Sequence, residues 1–342
     1  MIVDAHNDLL EEVAFFRAEA HPFRDRWLEQ LRRGGVALQV CPVSVDVEHL
    51  PDEGLRRSLE QIAACHRAVA DDEGDLLLVR DSGDIARALA DGRIGLMLAL
   101  EGAEPLGYDP ALLDVFWLLG VRMLALTWNG RNPFADGLGE PTDGGLSELG
   151  RELVDRAVGI GMMLDLAHAS ERTFFQVLER VPHARAIVSH AGCRVVFATP
   201  RNLSDDQLRA LGERGGVIGL MAIPLAVDLE APSIGRFVDH VDHAVTVMGI
   251  EHVGIGADFM AQIVASGAER GFQASSLMPS GMSFGEAVPG LRGPGDYPAL
   301  VRALEDRGYA GDRLAAVLSG NLLRAFREAL PQDGSVLRGA RA

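Results

Sequence analysis

Lysine is absent. All 32 basic residues of the 342-residue chain are arginine. A Schiff-base lysine is therefore excluded, and lysine-dependent aldolase chemistry with it. A carbamylated lysine bridging two metal ions is excluded too, so any bridging ligand must be a carboxylate. Cysteine is scarce: Cys41, Cys65 and Cys193 lie far apart and form no CxxC pair. That does not suggest a disulfide framework and fits a reducing compartment, so a cytoplasmic location is expected. No run of 18 or more apolar residues occurs, so no membrane-spanning helix is expected. Asp4, His6 and Asp8 fall where the apolar stretch of a signal peptide would continue, and LRGARA at the other end carries no lipid-anchor signal. Positive charge is also short. Against 49 acidic residues the formal net charge is -17, and no basic tract relieves it. Neither nucleic acid nor an anionic membrane surface is an expected partner.

What is present is apolar. Hydrophobic residues make up 48% of the chain, enough for a large core. Eight apolar, β-rich runs follow one another: Ile2–Ala5, Val36–Val45, Ile94–Leu100, Val121–Thr127, Met162–Leu166, Ala186–Ser189, Val217–Ile223 and Val253–Ala257. Most are continuous rather than alternating, the mark of strands buried on both faces in a parallel sheet. Helical periods lie between them. Pro51–Ala70 carries one apolar stripe, Ser82 and Ser147 stand at helix starts, and Ser204-Asp205-Asp206 opens a helix ending before Gly215-Gly216. Eight strands alternating with helices predict a (β/α)₈ (TIM) barrel, whose usual scale is about 250 residues. The expected organisation is one domain over 1–330 and a short tail over 331–342. The excess length is assigned to an N-terminal loop (about Glu11–Leu31), a long loop over 260–296 after the eighth strand, and extra C-terminal helices.

In such a barrel the active site lies at the C-terminal strand ends. The first run ends in Asp4-Ala5-His6-Asn7-Asp8, the third in Glu101-Gly102 and the fifth in Asp165-Leu166-Ala167-His168. The sixth ends in Ser189-His190 and the eighth in Gly256-Ala257-Asp258. His6 and Asp8 are two apart, so in extended chain they point the same way. Three imidazoles and three carboxylates on one rim form a mixed N/O set suited to Zn²⁺ or a similar first-row divalent ion. Six ligands exceed one tetrahedral site. Two ions about 3.5–4 Å apart and sharing Glu101 account for them, the arrangement that clamps a water for hydrolysis. Of the other histidines, His66, His240 and His243 lie within helices and His252 begins the eighth strand, so these read as structural or surface groups, while His21 in the first loop and His49 past the second run lie where they could approach the site.

These stretches resemble a known family, the membrane (renal) dipeptidases of peptidase family M19, within the amidohydrolase-like barrels. The resemblance is carried by DAHNDLL (4–10), LEG (100–102), LTWNGRNPFADG (126–137), DLAHAS (165–170), SHAG (189–192), RNLSDDQL (201–208) and HVGIGADF (252–259). The stretch at 298–326 is similar to the family's closing helices. The resemblance implies one ion held by His6, Asp8 and bridging Glu101, and a second held by Glu101, His168 and His190. It implies that Asp258 lies beside the first ion and handles protons, and that Arg201 contacts the substrate, whose carboxylate a planar guanidinium can fork. It implies a zinc-dependent dipeptidase in which a hydroxide held between the metals attacks L,L- or L,D-dipeptides. Two positions depart from the family pattern. Trp128 stands where many members carry a histidine that holds the substrate carbonyl oxygen, and Met260 replaces an acidic residue. Both bear on the substrate. The alternative is a related binuclear amidohydrolase acting on N-acyl amino acids, lactones or cyclic amides. The expected partner is a small dipeptide, and the sequence leaves monomer and homodimer open.

Overall fold

The structure, a computed structural model, describes residues 1–269 and 287–332. Nine strands occur among these residues: β1 (Ile2–Asp4), β2 (Val36–Val43), β3 (Leu76–Leu78), β4 (Ile94–Glu101), β5 (Val121–Ala125), β6 (Met163–Asp165), β7 (Ala186–Ala191), β8 (Ile218–Leu220) and β9 (Val253–Ile255). All pair in parallel. Eight of them follow the order β2-β1-β9-β8-β7-β6-β5-β4, and β2 pairs with β4 from Leu38↔Gly95 to Val43↔Leu100 to close the ring. The (β/α)₈ barrel expected from the sequence is what forms.

Alternation along each strand sorts its side chains into two layers. Val3, Leu38, Val40, Met97, Met123, Met163 and Ile187 fill the bore. Their neighbours Ile2, Val36, Leu96, Leu98, Leu124, Leu164 and Val188 pack outward against the helices. Both faces being dry, the strands read as unbroken apolar runs. The helix Asn321–Ala329 adds Leu322, Leu323 and Phe326 to the bore cluster. It seats against β1 and β9: a Cβ at Gly254 of β9 would lie 2.9 Å from Leu322 Cδ1. The closing helix thus plugs the end of the barrel opposite the rim that carries the candidate site residues.

Several expectations about connections need correction. β3 is not among the eight expected runs. It pairs with the start of β4 (Leu76↔Ile94 to Leu78↔Leu96), on the side that β5 takes only from Leu98 onward. Three leucines are too few for periodicity to reveal a strand. The expected loop over Glu11–Leu31 is largely helical: Leu9–Phe15 buries Leu9, Leu10 and Val13, and Arg24–Leu28 with Glu29–Arg33 bury Trp27, Leu28 and Leu31. The expected loop at 260–296 begins as a helix, Ala261–Glu269. Its middle, 270–286, and the tail beyond 332 lie outside the described residues. At the helix expected to start with Ser82, the cap is Asp81, whose carboxylate accepts the Asp84 N–H at 2.7 Å. The other two starts fall on the expected serines. Ser147 caps Gly150, and Ser204 forms a reciprocal capping box with Gln207. Such caps are worth about 1 kcal/mol each. Among the described residues no helix is long and apolar enough to cross a membrane.

Candidate metal centre

The strand ends deliver His6, Asp8, Glu101, His168, His190 and Asp258 to one point above the bore, and all six are buried. Glu101 closes β4 and is their common neighbour. Its Oε1 lies 3.0 Å from His168 Nε2, 3.4 Å from His6 Nε2 and 3.5 Å from His190 Nε2. His6 Nε2 also faces Asp8 Oδ2 at 3.8 Å and Asp258 Oδ1 at 4.0 Å. Two overlapping groups result, His6 with Glu101 and His190, and His6 with Asp8 and Asp258. The His6 and His190 rings stack with centroids 3.6 Å apart.

The backbone is bent to achieve this. His168 and Asp258 have φ of +65° and +55°, the left-handed region that most side chains avoid. Such conformations cost about 1–2 kcal/mol per residue and persist where the surroundings impose them. For Asp258 that imposition is visible. Its N–H donates to His6 O at 2.9 Å, and the Phe259 N–H donates to Asn7 Oδ1 at 2.7 Å. Asp4 sits beneath, accepting the N–H groups of His6 (3.2 Å) and Ala257 (3.1 Å) and the Tyr297 hydroxyl (2.5 Å). The ends of β1 and β9, which carry three of the six side chains, are locked together by this buried knot.

The imidazoles are oriented from behind. His168 Nδ1 lies 2.7 Å from Asn129 Oδ1, and His190 Nδ1 lies 2.7 Å from Ser189 Oγ. An amide oxygen only accepts, so His168 carries its proton on Nδ1 and turns a bare Nε2 toward Glu101. The two Nε2 atoms face each other at 2.9 Å. Lone pairs so close are repulsive unless a cation lies between them.

Charge tells the same story. Burial pushes the Glu101 carboxyl well above its ordinary range, against the pull of His6 and with Asp8 and Asp258 adding to the rise. Burial likewise lifts Asp258 to about 7. His168 and His190 fall well below the usual imidazole range, through burial first and then the nearby positive charges of Arg201 and His6. His6 goes the other way: burial opposes its charge, but Glu101, Asp8 and Asp258 raise it to about 10. Three carboxylates in a dry pocket resist sharing it, and a divalent ion reverses that preference. The polar atoms left over agree. His6 Nδ1 and Nε2 and Asp8 Oδ1 are buried without a hydrogen-bond partner. The donor set therefore fits divalent metal.

Arg201 and Trp128 border the same pocket, which Met221, Leu225 and Met260 close on its apolar side. Arg201 is buried, held by Nη2 donating to His190 O at 2.7 Å, and its Nε has no partner. Its loop is pinned by Asn202, which accepts from Gly192 N (2.8 Å) and donates to Phe197 O and Ala226 O. The Trp128 ring lies 5.9 Å from that of His168. His240 and His243 are elsewhere, as the sequence suggests: His240 bonds Cys193 N and Val227 O, and His243 bonds Asp205. Sequence reasoning does not single out Asn129, Ser189, Asn7 or Tyr297. Ser189 had a signal, a hydroxyl immediately before a ligand-type histidine at a strand end.

Comparison with known proteins decides the family. The family described as "Membrane dipeptidase (Peptidase family M19)" matches residues 1–280. The chain belongs to the membrane dipeptidases. As an M19 member it is a metal-dependent hydrolase acting as a dipeptidase. It is similar to Dipeptidase verJ of Clonostachys rogersoniana, 30% identical over 349 residues, 95% of this chain and 83% of that one. It is 29% identical to human Dipeptidase 3 over 347 residues, 96% of this chain and 64% of the relative. Among solved structures, dipeptidase AC, a metallopeptidase of family M19, shares the fold with a TM-score of 0.83 at 22% identity, covering 96% of this chain and 98% of that one. A metallopeptidase of Rhodobacter sphaeroides, liganded with a phosphinate mimic of L-Ala-D-Ala, does so with a TM-score of 0.81 at 22% identity, covering 96% and 99%.

Proposed function

We propose that this M19 member is a binuclear zinc dipeptidase acting on L,L- and L,D-dipeptides. The observation that carries the reading is the reach of Glu101 Oε1 to three imidazole nitrogens within 3.0–3.5 Å. His6, Asp8 and Glu101 would hold one ion, and Glu101, His168 and His190 the other. When bound, the pair supplies a water of lowered pKa and polarisation of the scissile carbonyl. The protein does the rest. Asp258 accepts the proton of the attacking water and passes it to the leaving amine. Arg201 forks onto the free carboxylate of the substrate and so limits its length. The phosphinate mimic of L-Ala-D-Ala on the Rhodobacter relative supports a D-residue at the second position.

A second reading has its own support. Trp128 offers one N–H donor where many family members carry a histidine, and Met260 extends an apolar wall with Met221 and Leu225. Such a pocket suits N-acyl amino acids, lactones or cyclic amides. The test is a hydrolysis panel with zinc present. Turnover of L,L- or L,D-dipeptides well above that of N-acetyl amino acids and lactones supports the dipeptidase. The reverse order assigns the second reading.

A further inference from the structure

The ligand His190 is backed by a second carboxylate that the reaction itself does not use. Asp165, at the end of β6, is buried and lies beside Ser189, which is completely buried in β7. Asp165 Oδ1 accepts the N–H groups of Ala167 (3.0 Å) and Ser189 (2.9 Å). Its Oδ2 lies 2.5 Å from Ser189 Oγ, which lies 2.7 Å from His190 Nδ1. The serine backbone cannot drift. A Cβ at Gly219 would stand 2.0 Å from Ser189 O, and one at Gly256 only 1.7 Å away, so these two strands close directly upon it.

A hydroxyl has one proton to give. A carboxylate only accepts, so Ser189 donates to Asp165 and its lone pair must receive the Nδ1–H of His190. The chain of bonds runs in one direction and leaves the His190 lone pair on Nε2, facing Glu101. We propose that Asp165 is a positioning residue that acts through the Ser189 hydroxyl, fixing the tautomer and aim of His190 and thereby the affinity of the metal position shared by Glu101, His168 and His190. This rests on the metal reading above. Partners behind a ligating histidine are typically worth about 10–100-fold in metal affinity.

The direction of the relay gives a signature that loss of packing would not. In Asp165→Asn the amide oxygen can keep both backbone bonds, but its N–H group faces Ser189 Oγ. The serine proton is then turned onto His190 Nδ1, and the ring proton moves to Nε2, where it blocks the metal. Ser189→Ala merely removes the partner and leaves the ring free to choose. Zinc binding to purified protein, followed by chelator competition, reads both equivalents separately. Wild type is expected to hold two. Ser189→Ala should weaken one of them about 10–100-fold and leave the other alone, with Ser189→Thr restoring it. Asp165→Asn should weaken the same equivalent further, and the double variant should recover to the level of Ser189→Ala. Additive losses in the double variant, or Ser189→Ala and Asp165→Asn binding like wild type, overturn the relay. Should Asp165→Asn not fold, the contrast between Ser189→Ala and Ser189→Thr decides alone. Wild type holding fewer than two equivalents overturns the metal assignment instead.

Discussion

Arg201 donates from Nη2 to the main-chain carbonyl of His190 at 2.7 Å, so the guanidinium is fastened to the backbone of a candidate metal-site residue. Burial lowers its pKa from the ordinary value, with Asp258 and Glu101 opposing that fall. A charge this dry awaits an anion. Arg201→Ala should raise KM for dipeptides roughly 10–100-fold, the scale of a charge-assisted hydrogen-bonded pair. The effect on an ester or lactone without a carboxylate should be smaller. Equal effects on both substrates would remove the carboxylate clamp.

Asp258 faces His6 at 4.0 Å and lines the pocket. Asp258→Asn keeps an oxygen there but cannot take a proton. We expect both metal equivalents to be retained and kcat to fall about 10²–10⁴-fold, the usual worth of a positioned general base. Near-normal turnover would place the proton transfer elsewhere.

Metal and protons compete for the same carboxylates. In the metal-free chain the carboxyl of Asp258 titrates near 7, and Glu101 is raised further than its ordinary range. A raised carboxyl contributes stability below its unfolded value near 4 and loses it as pH rises through the folded value, because the folded chain holds the extra proton. Binding a divalent ion displaces that proton. The stabilisation on adding zinc should therefore grow from pH 5 to pH 8. At an excess of 100 times Kd it should reach roughly 2.7 kcal/mol. Calorimetry with and without chelator measures it, and a gain independent of pH would contradict the assignment.

A different histidine sets an acid limit away from the metals. Burial lowers His240 to about 4, while its ring accepts from Cys193 N and bonds Val227 O. A depressed imidazole contributes stability above its unfolded value near 6.5 and loses it as pH falls toward the folded value, since the unfolded chain takes up the proton first. Over that window wild type should lose about 3 kcal/mol relative to His240→Gln. Denaturant unfolding of metal-free protein at pH 7 and pH 4 tests it. Parallel pH profiles for the two would assign His240 no such role.

How much of this could be read from the chain alone follows from what each feature depends on. The barrel is legible because strands buried on both faces need unbroken apolar runs, and the six site residues because they stand at the ends of five such runs. Trp128 and Arg201 are placed by short motifs. The Leu76–Leu78 strand is hidden because it exists only as a partner for the first residues of β4. The helix Ala261–Glu269 is masked by alanine, glycine and serine, which carry little periodic contrast. The supporting residues are hidden for another reason. Asp4 and Tyr297 are 293 positions apart, and Asp165 and Ser189 are 24 apart. Nothing in either neighbourhood announces a hydrogen bond that only the closed barrel creates.

The bond between Tyr297 and Asp4 also sets an order of events. His6 and Asp8 come first in sequence among the six site residues. Their strand can pair with β2 early, but its other neighbour is β9, and the hydroxyl that steadies Asp4 comes later still. Contacts of such long sequence separation form late in folding. The grouping of His6 and Asp8 with Asp258 therefore waits on β9 and on Tyr297, and is a property only of the finished barrel.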